Sequence, residues 1–181
     1  MPQQETLGGE KFLPVFFVDE VKIGETFTSG DWPLHITLFP PLEATYQPSD
    51  GERIRFNVHA FEPFSVTAGD EDLFGPNEDI PVRKLEQSDP LNRVHKGLVR
   101  ALSRLSHDPQ YRMPYNPHIS EVASSTPVLK GTSMLLEGLS IAVQKQRITS
   151  GGELQKTWEV VDKMRFKGIS NYEYESTGEY E

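Results

Sequence analysis

The 181-residue chain is long enough for one domain with a hydrophobic core, and its 10 Phe, 6 Tyr and 2 Trp supply large apolar side chains. The net charge of −9 excludes a protein that coats long nucleic acids by bulk electrostatics, but it allows a phosphate-bearing ligand in a local pocket. The lack of cysteine excludes disulfides, thiolate nucleophiles and cysteine-ligated metals. With no secretory pattern and no long apolar run, we expect a cytoplasmic protein without membrane attachment.

The first half of the chain predicts strands that are separated by turn-rich loops. Apolar runs rich in Val, Ile and Phe predict strands at 11–21, 34–39, 64–69 and 80–86. The segment 49–61 fits both helical and strand periodicity, and we favour a short helix because Ser49 and Asp50 offer an N-cap. The acidic segment 70–79 contains Gly and Pro and predicts a loop.

The second half begins with a strongly amphipathic helix over residues 88–105, with Asp89 as the predicted N-cap and Pro90 at the first helical position. Further strands are predicted at 118–122, 134–145 and 156–166. Strands that outnumber helices predict an α+β fold with helices packed on a mainly antiparallel sheet. A coarse similarity between the two halves suggests two lobes within one domain, 1–168, followed by an acidic, flexible tail, 169–181.

Two short strands carry the same pattern of histidine, isoleucine and hydroxyl. The first is His35 with Thr37, and the second is His118 with Ser120. Because side chains alternate along a strand, each histidine and its hydroxyl share one face, about 7 Å apart. Displacement at phosphorus needs a base and an acid on opposite sides of the phosphate, and histidine serves both roles near neutral pH. Hydroxyls donate hydrogen bonds to phosphate oxygens, so the pairs indicate a phosphodiester site.

These motifs, "LHITLF" and "PHISEV", resemble the twin H-x-[ST] motifs of the two-histidine (2H) phosphoesterase superfamily, which includes 2′-5′ RNA ligases and cyclic phosphodiesterases. The resemblance implies a bilobal fold with pseudo-two-fold duplicated sheets and flanking helices around a central cleft. It implies metal-independent action, with no cofactor, on 2′,3′-cyclic phosphates or 2′-5′ linkages. His35 and His118 would be the general acid and base in an unassigned order, and Thr37 and Ser120 would hold the phosphate.

Other side chains carry alternative interpretations. Tyr115 stacks on a nucleobase or packs in its proline-rich turn. Arg83, Lys84 and Arg112 are basic residues that contact a phosphate or, as we favour, lie solvated on a strand or in a loop. His95 is expected to pack beside the buried stripe of the helix, and His59 to lie at the surface. The spacing of the histidines does not match a metal-binding motif, so no metal is expected.

Three functions remain open on this pattern. The favoured one is hydrolysis of a 2′,3′-cyclic phosphate or a 2′-5′ phosphodiester on a nucleotide or short RNA. The second is 2′-5′ ligation of RNA ends, and the third is a non-catalytic nucleotide- or RNA-binding module. The third is motivated by departures from the family pattern, such as "EVAS" after the second motif. The expected partner is a small nucleotide or short RNA, not long DNA, and the protein is expected to be a monomer.

Overall fold

The computed structural model describes residues 10–28, 30–105, 115–120 and 127–168. These residues form nine strands and two helices, with three strands before the first helix and four after the second. The strands are β1 (Lys11–Phe17), β2 (Thr26–Phe27), β3 (His35–Thr37), β4 (Phe64–Phe74), β5 (Ile80–Leu85), β6 (His118–Ser120), β7 (Ser133–Leu136), β8 (Gly138–Ile148) and β9 (Leu154–Arg165). The helices are α1 (Pro48–Val58) and α2 (Asp89–Ala101). The α+β prediction is confirmed, whereas the predicted tail lies outside the described residues.

All nine strands form one sheet in the order β2-β9-β8-β1-β3-β6-β5-β4-β7, and every pairing is antiparallel. The two motif strands, β3 and β6, are neighbours at its centre. The two sides of the sheet do not correspond to the two halves of the chain, because β8 and β9 join β1 and β3, while β4 and β5 join β6 and β7.

One face of the sheet is covered by both helices. Its core includes Phe16, Ile36 and Ile119 from the strands, and Ile54 and Leu98 from the helices, each at most 1% exposed. Burial of such side chains contributes about 1.5–3 kcal/mol each, so this face supplies the main hydrophobic stabilisation.

The N-caps of the two helices lie one to three residues before the predicted ones. The helix α1 has Gln47 as its N-cap, and the buried Asp50 carboxylate accepts the Gln47 backbone N–H at 3.0 Å. The N-cap of α2 is Ser88, whose hydroxyl accepts the Leu91 N–H at 3.3 Å. The prediction of Asp89 as N-cap was therefore wrong by one residue, since the shorter serine side chain satisfies the free N–H.

The predicted loop at 70–79 is strand in its first half, 70–74, and turn in its second half. β4 continues to Phe74 and forms a hairpin with β5, in which charged residues pair across the ladder. Lys84 contacts Asp72 at 2.6 Å and Arg83 contacts Glu71 at 2.5 Å. These cross-strand ion pairs make an acidic strand compatible with the sheet. The predicted strand 134–145 is instead split between β7 and β8.

The opposite face of the sheet carries a smaller apolar cluster beside β3. It contains the aromatic residues Phe27, Trp32 and Trp158, with the half-buried Phe17 packed against them. No helix in the described part of the chain is long and apolar enough to cross a membrane.

Candidate functional site

The pairing of β3 with β6 brings the two motifs together. Ile36 lies directly opposite Ile119 in this antiparallel pair, and both side chains are fully buried on the helix-covered face. Their motif neighbours therefore point to the other face. Because antiparallel partners advance in opposite directions, His35 falls opposite Ser120 and Thr37 falls opposite His118.

The four polar side chains form a compact, approximately two-fold symmetric group, which we call the histidine–hydroxyl quartet (His35, Thr37, His118 and Ser120). Directly opposed residues have Cβ atoms roughly 5 Å apart, and diagonal neighbours are roughly 7–8 Å apart. Each histidine thus faces the hydroxyl of the other strand, and the two imidazoles lie on a diagonal. A tetrahedral phosphate fits between groups at this spacing.

Both imidazoles make the same hydrogen bond to their own chain. His35 Nδ1 donates to the Pro33 carbonyl at 2.8 Å, and His118 Nδ1 donates to the Asn116 carbonyl at 2.7 Å. A carbonyl only accepts, so the proton of each neutral ring is on Nδ1. Nε2 of each ring is then left as the proton-accepting atom.

Aromatic rings cover each histidine on one side. Trp32 lies 4.6 Å from the His35 ring and Phe17 lies 6.3 Å from it, measured between ring centroids. Phe74 meets the His118 ring edge-on at 4.5 Å. His35 is buried, with 8% of its surface exposed, whereas His118 is half-buried.

Burial lowers the pKa of both histidines below the ordinary 6.5. For His35, loss of hydration is the largest cause of the lowered pKa, and the hydrogen bond to Pro33 raises the pKa in part. The positive charge of His118 lowers the pKa of His35 further. For His118, loss of hydration again outweighs the hydrogen bond to Asn116. The electrostatic effect of one ring on the other is consistent with their closeness in the quartet.

The structure places Lys84 and Arg83 on opposite faces of the sheet, although the sequence predicted the same solvated position for both. Lys84 lies directly opposite His118 in the pairing of β5 with β6 and shares its face, with Asp72 as its ion-pair partner. Arg83 lies opposite Ile119, is buried on the other face and binds Glu71, so the prediction that it is solvated was wrong. Arg112 lies outside the described residues. Lys84 therefore places a cation beside the quartet.

Phe74 was missed as a site residue because its segment looked like a loop. Once β4 is extended, alternation along the hairpin puts Phe74 on the same face as Asp72 and Lys84, against His118. In the sequence, Asp72 and Phe74 alternate with Glu71 and Leu73, and the structure shows that the first two are half-buried and the other two exposed. The sequence alone does not give the register of the hairpin, and this register decides that Phe74 lies against His118.

Tyr115 packs on His95. The two rings are parallel, with centroids 4.1 Å apart, and the buried Tyr115 hydroxyl has no hydrogen-bond partner among the described residues. One face of Tyr115 is thus occupied by protein, and its stacking on a base stays a prediction. The predicted packing role of His95 is confirmed by its burial. The predicted surface position of His59 was wrong, because His59 is 3% exposed and its Nδ1 contacts the Arg55 carbonyl at the end of α1.

Among the described residues, no three His, Asp or Glu side chains cluster in a way that could hold a metal ion. The quartet itself offers only two imidazoles and two hydroxyls. Imidazoles can transfer protons near neutral pH, and hydroxyls can donate hydrogen bonds.

Comparisons with known proteins identify one family by its model and one fold by its solved structures. The model of the 2′-5′ RNA ligase superfamily matches residues 17–139. The fold is similar to that of TT0787 of Thermus thermophilus, with a TM-score of 0.59 and 19% identity over 87% of this chain and 98% of that chain. It is also similar to E. coli LigT complexed with 3′-AMP, with a TM-score of 0.51, 11% identity and the same coverage. No curated protein matches the chain in sequence. Since the matched residues make up more than half of it, the chain belongs to the 2′-5′ RNA ligase superfamily, the two-histidine phosphoesterase group that its paired motifs resemble.

Proposed function

We propose that the protein is a metal-independent phosphoesterase that hydrolyses 2′,3′-cyclic phosphates, or 2′-5′ phosphodiesters, of nucleotides or short RNA. Membership of the superfamily supports phosphoesterase- or ligase-type chemistry. The observation that carries the proposal is the register of β3 with β6, which sets His35 and His118 on a diagonal with a hydroxyl facing each ring. A phosphate held between them has one imidazole on each side, as in-line displacement requires.

His35 is the general base in this proposal. It is the more deeply buried ring, and the charge of His118 adds to the effect of burial in lowering its pKa, so it is the ring that stays neutral. Its Nε2 takes a proton from water as the water oxygen attacks phosphorus. The bond from phosphorus to one ribose oxygen breaks, and protonated His118 gives its Nε2 proton to that oxygen.

Thr37, Ser120 and Lys84 bind the phosphate. The two hydroxyls donate hydrogen bonds to its non-bridging oxygens, and Lys84 supplies positive charge from the strand beside His118. Donors that are already oriented before the reaction stabilise developing charge, and loss of one typically lowers kcat by roughly 10²–10³-fold.

The test is hydrolysis of 2′,3′-cyclic nucleotides in EDTA, followed by phosphorus NMR. We expect His35→Ala and His118→Ala each to lose roughly 10²–10⁴-fold in kcat. Added imidazole should partly restore both variants, since it replaces the missing base or acid. Thr37→Val and Ser120→Ala are compared with Ser65→Ala, which removes an exposed hydroxyl from β4.

Each alternative gives a distinct result. Joining of RNA fragments that carry a cyclic phosphate and a free hydroxyl end would identify a ligase. Tight binding of a nucleoside monophosphate without any product would identify a binding module. Full activity in both histidine variants would refute the acid–base mechanism, and loss of wild-type activity in EDTA would refute metal independence.

A further inference from the structure

The backbone carbonyl that binds the His118 ring lies outside the regular part of the sheet. Asn116 precedes β6 by two residues, and its carbonyl accepts the Nδ1 proton of His118 at 2.7 Å. The position of this carbonyl therefore sets the tautomer and the orientation of the ring. We propose that His95 and Tyr115 are positioning residues for this contact, because their stacked rings hold Asn116 in place and so keep Nε2 of His118 toward the phosphate. This inference rests on the proposed function.

The residue before each motif histidine is anchored by a backbone hydrogen bond. The Leu34 carbonyl accepts the Val18 N–H at 2.8 Å, and the Pro117 carbonyl accepts the Leu85 N–H at 3.0 Å. The proline also restricts Asn116, the residue before it, to extended backbone. These contacts fix the chain on the strand side of the carbonyl that binds each ring. A second anchor is needed on its other side.

An aromatic residue three positions before each motif histidine provides this second anchor. Trp32 has this position in the first motif and packs against Trp158, with ring centroids 5.1 Å apart, in the aromatic cluster. Tyr115 has the same position in the second motif, but it packs on the helix-covered face. Its ring is parallel to that of His95, with centroids 4.1 Å apart. The helix α2 therefore supplies to the second motif the aromatic contact that Trp158 supplies to the first.

His95 has the fixed surroundings that an anchor requires. It is 6% exposed in the middle of α2, on the same buried helix face as Leu91 and Leu98. Its ring also packs on Phe39, which follows β3 by two residues, at 5.7 Å between centroids. Because β3 and β6 are antiparallel, the end of β3 lies beside the start of β6. His95 therefore contacts the chain at this end of both motif strands.

The stack of His95 and Tyr115 acts through its rings and not through charge or hydrogen bonding. Burial lowers the pKa of His95 below its ordinary value, so the ring is neutral near pH 7 and places no positive charge near His118. The buried Tyr115 hydroxyl has no hydrogen-bond partner within the described segments. The contribution of Tyr115 is therefore expected to come from its ring alone.

The Asn116 carbonyl matters for the proton transfer that we propose. His118 gives its Nε2 proton to the departing ribose oxygen and keeps the proton on Nδ1, which the carbonyl accepts. A carbonyl held beside Nδ1 keeps the ring in one orientation before and after this transfer. If the carbonyl moves, the ring can rotate or change tautomer, and a misplacement of about 1 Å can lower a rate roughly 100-fold.

The first measurement is ¹⁵N NMR of the neutral His118 imidazole in the full chain, assigned by the loss of its signals in His118→Gln. We expect wild type to show one tautomer, protonated on Nδ1. His95→Ala and Tyr115→Ala should each show a second population that is protonated on Nε2. Tyr115→Phe should retain the single tautomer, because it keeps the stacked ring. Val58→Ala is the matched control, since it removes a fully buried side chain from the same core on the other helix, and it should also retain the single tautomer.

The second measurement separates kcat from KM for a 2′,3′-cyclic nucleotide. His95→Ala and Tyr115→Ala should lower kcat by roughly 10–100-fold and leave KM nearly unchanged, because the stack aligns the proton transfer and does not bind the phosphate. His95→Phe, which keeps an aromatic ring against Tyr115, should recover most of this loss. Tyr115→Phe and Val58→Ala should stay close to wild type.

A single Nδ1-protonated tautomer in the two alanine variants would overturn the positioning role. The same second population in Val58→Ala would also overturn it, since general loosening of the core would then be the cause. A rise in KM as large as the fall in kcat would assign the stack to substrate binding instead. If wild type hydrolyses no substrate, the proposed function fails separately, and the tautomer of His118 still decides the role of the stack. If one alanine variant does not fold, the other gives the same decision.

Discussion

Trp32 controls the environment of His35, and its replacement by Phe tests how burial sets the pKa of that ring. The indole is 9% exposed and lies 4.6 Å from the His35 ring and 5.1 Å from Trp158, between ring centroids. In Trp32→Phe, an aromatic ring remains in the cluster, but part of the surface that shields the imidazole from water is lost. We expect the pKa of His35 to rise toward its ordinary value of 6.5.

The expected magnitudes follow from the packing. Complete truncation of a buried Trp costs about 3–5 kcal/mol, so retention of a phenyl ring should limit the loss of unfolding free energy to about 1–2 kcal/mol. Because the pKa of His35 is lowered in the folded state, the unfolded chain binds its proton first as the pH falls below 6.5. Stability from the neutral ring is therefore full above pH 6.5 and lost as the pH falls toward the folded-state pKa. Each unit by which the pKa recovers in Trp32→Phe should reduce that acid-induced loss by about 1.4 kcal/mol.

The measurement is an NMR titration of the His35 ring, together with urea unfolding at pH values above and below 6.5. Trp158→Phe is the matched control, because Trp158 belongs to the same cluster and is similarly buried, but its ring contacts Trp32 and not His35. It should lower stability to a comparable extent with a smaller effect on the pKa of His35. An unchanged or lower pKa in Trp32→Phe, or an equal rise in both variants, would show that Trp32 does not set it.

Further predictions concern the structure beneath and beside the quartet. Ile36→Val and Ile119→Val should each lower the unfolding free energy by about 0.5–1.5 kcal/mol, and a double-mutant cycle should reveal coupling because the two side chains are directly opposed; purely additive losses in urea unfolding would contradict this. Gly138→Ala should destabilise the fold by about 1–3 kcal/mol, because its Cβ meets the Met164 backbone, whereas Gly30→Ala, which has open space around it, should change the thermal midpoint little. Asp50→Ala should cost about 2 kcal/mol, since it removes both the acceptor of the Gln47 N–H and the buried partner of Arg104; a change below 0.5 kcal/mol, roughly the usual scatter of surface substitutions, would argue against both contacts.

The sequence predicted the local geometry of the site because that geometry follows from alternation along a strand. His35 with Thr37, and His118 with Ser120, each share a face in any regular strand. Their mutual arrangement depends instead on which strands are neighbours and in what register, and the 82 residues between the histidines carry no local signal of that pairing. In the structure, Ile36 pairs directly opposite Ile119, and this pair defines the register of the two motif strands.

The same distinction explains the misjudged segments. Residues 70–79 are acidic and turn-rich, so local propensity predicts a loop, but cross-strand pairing of Asp72 with Lys84 supports β4 as far as Phe74. His59 was predicted to be exposed from a segment of uncertain type. It is buried at the C-cap of α1, where its Nδ1 contacts the Arg55 carbonyl. In both cases tertiary contacts outweighed the local pattern.

The two catalytic histidines of the proposed mechanism make equivalent hydrogen bonds to their own backbone. Since both Nδ1 atoms donate to a carbonyl two residues earlier, these bonds fix the same tautomer on both rings and do not distinguish the acid from the base. The distinction must come from the surroundings, which are not symmetric. His35 lies under Trp32 in the aromatic cluster, whereas His118 is more exposed and has Phe74 at its edge and the Lys84–Asp72 pair on the next strand. Burial disfavours the charged form more strongly at His35, so the first proton taken up by the pair belongs on His118. The division of roles between two related motifs then follows from the packing around them, not from the motifs themselves.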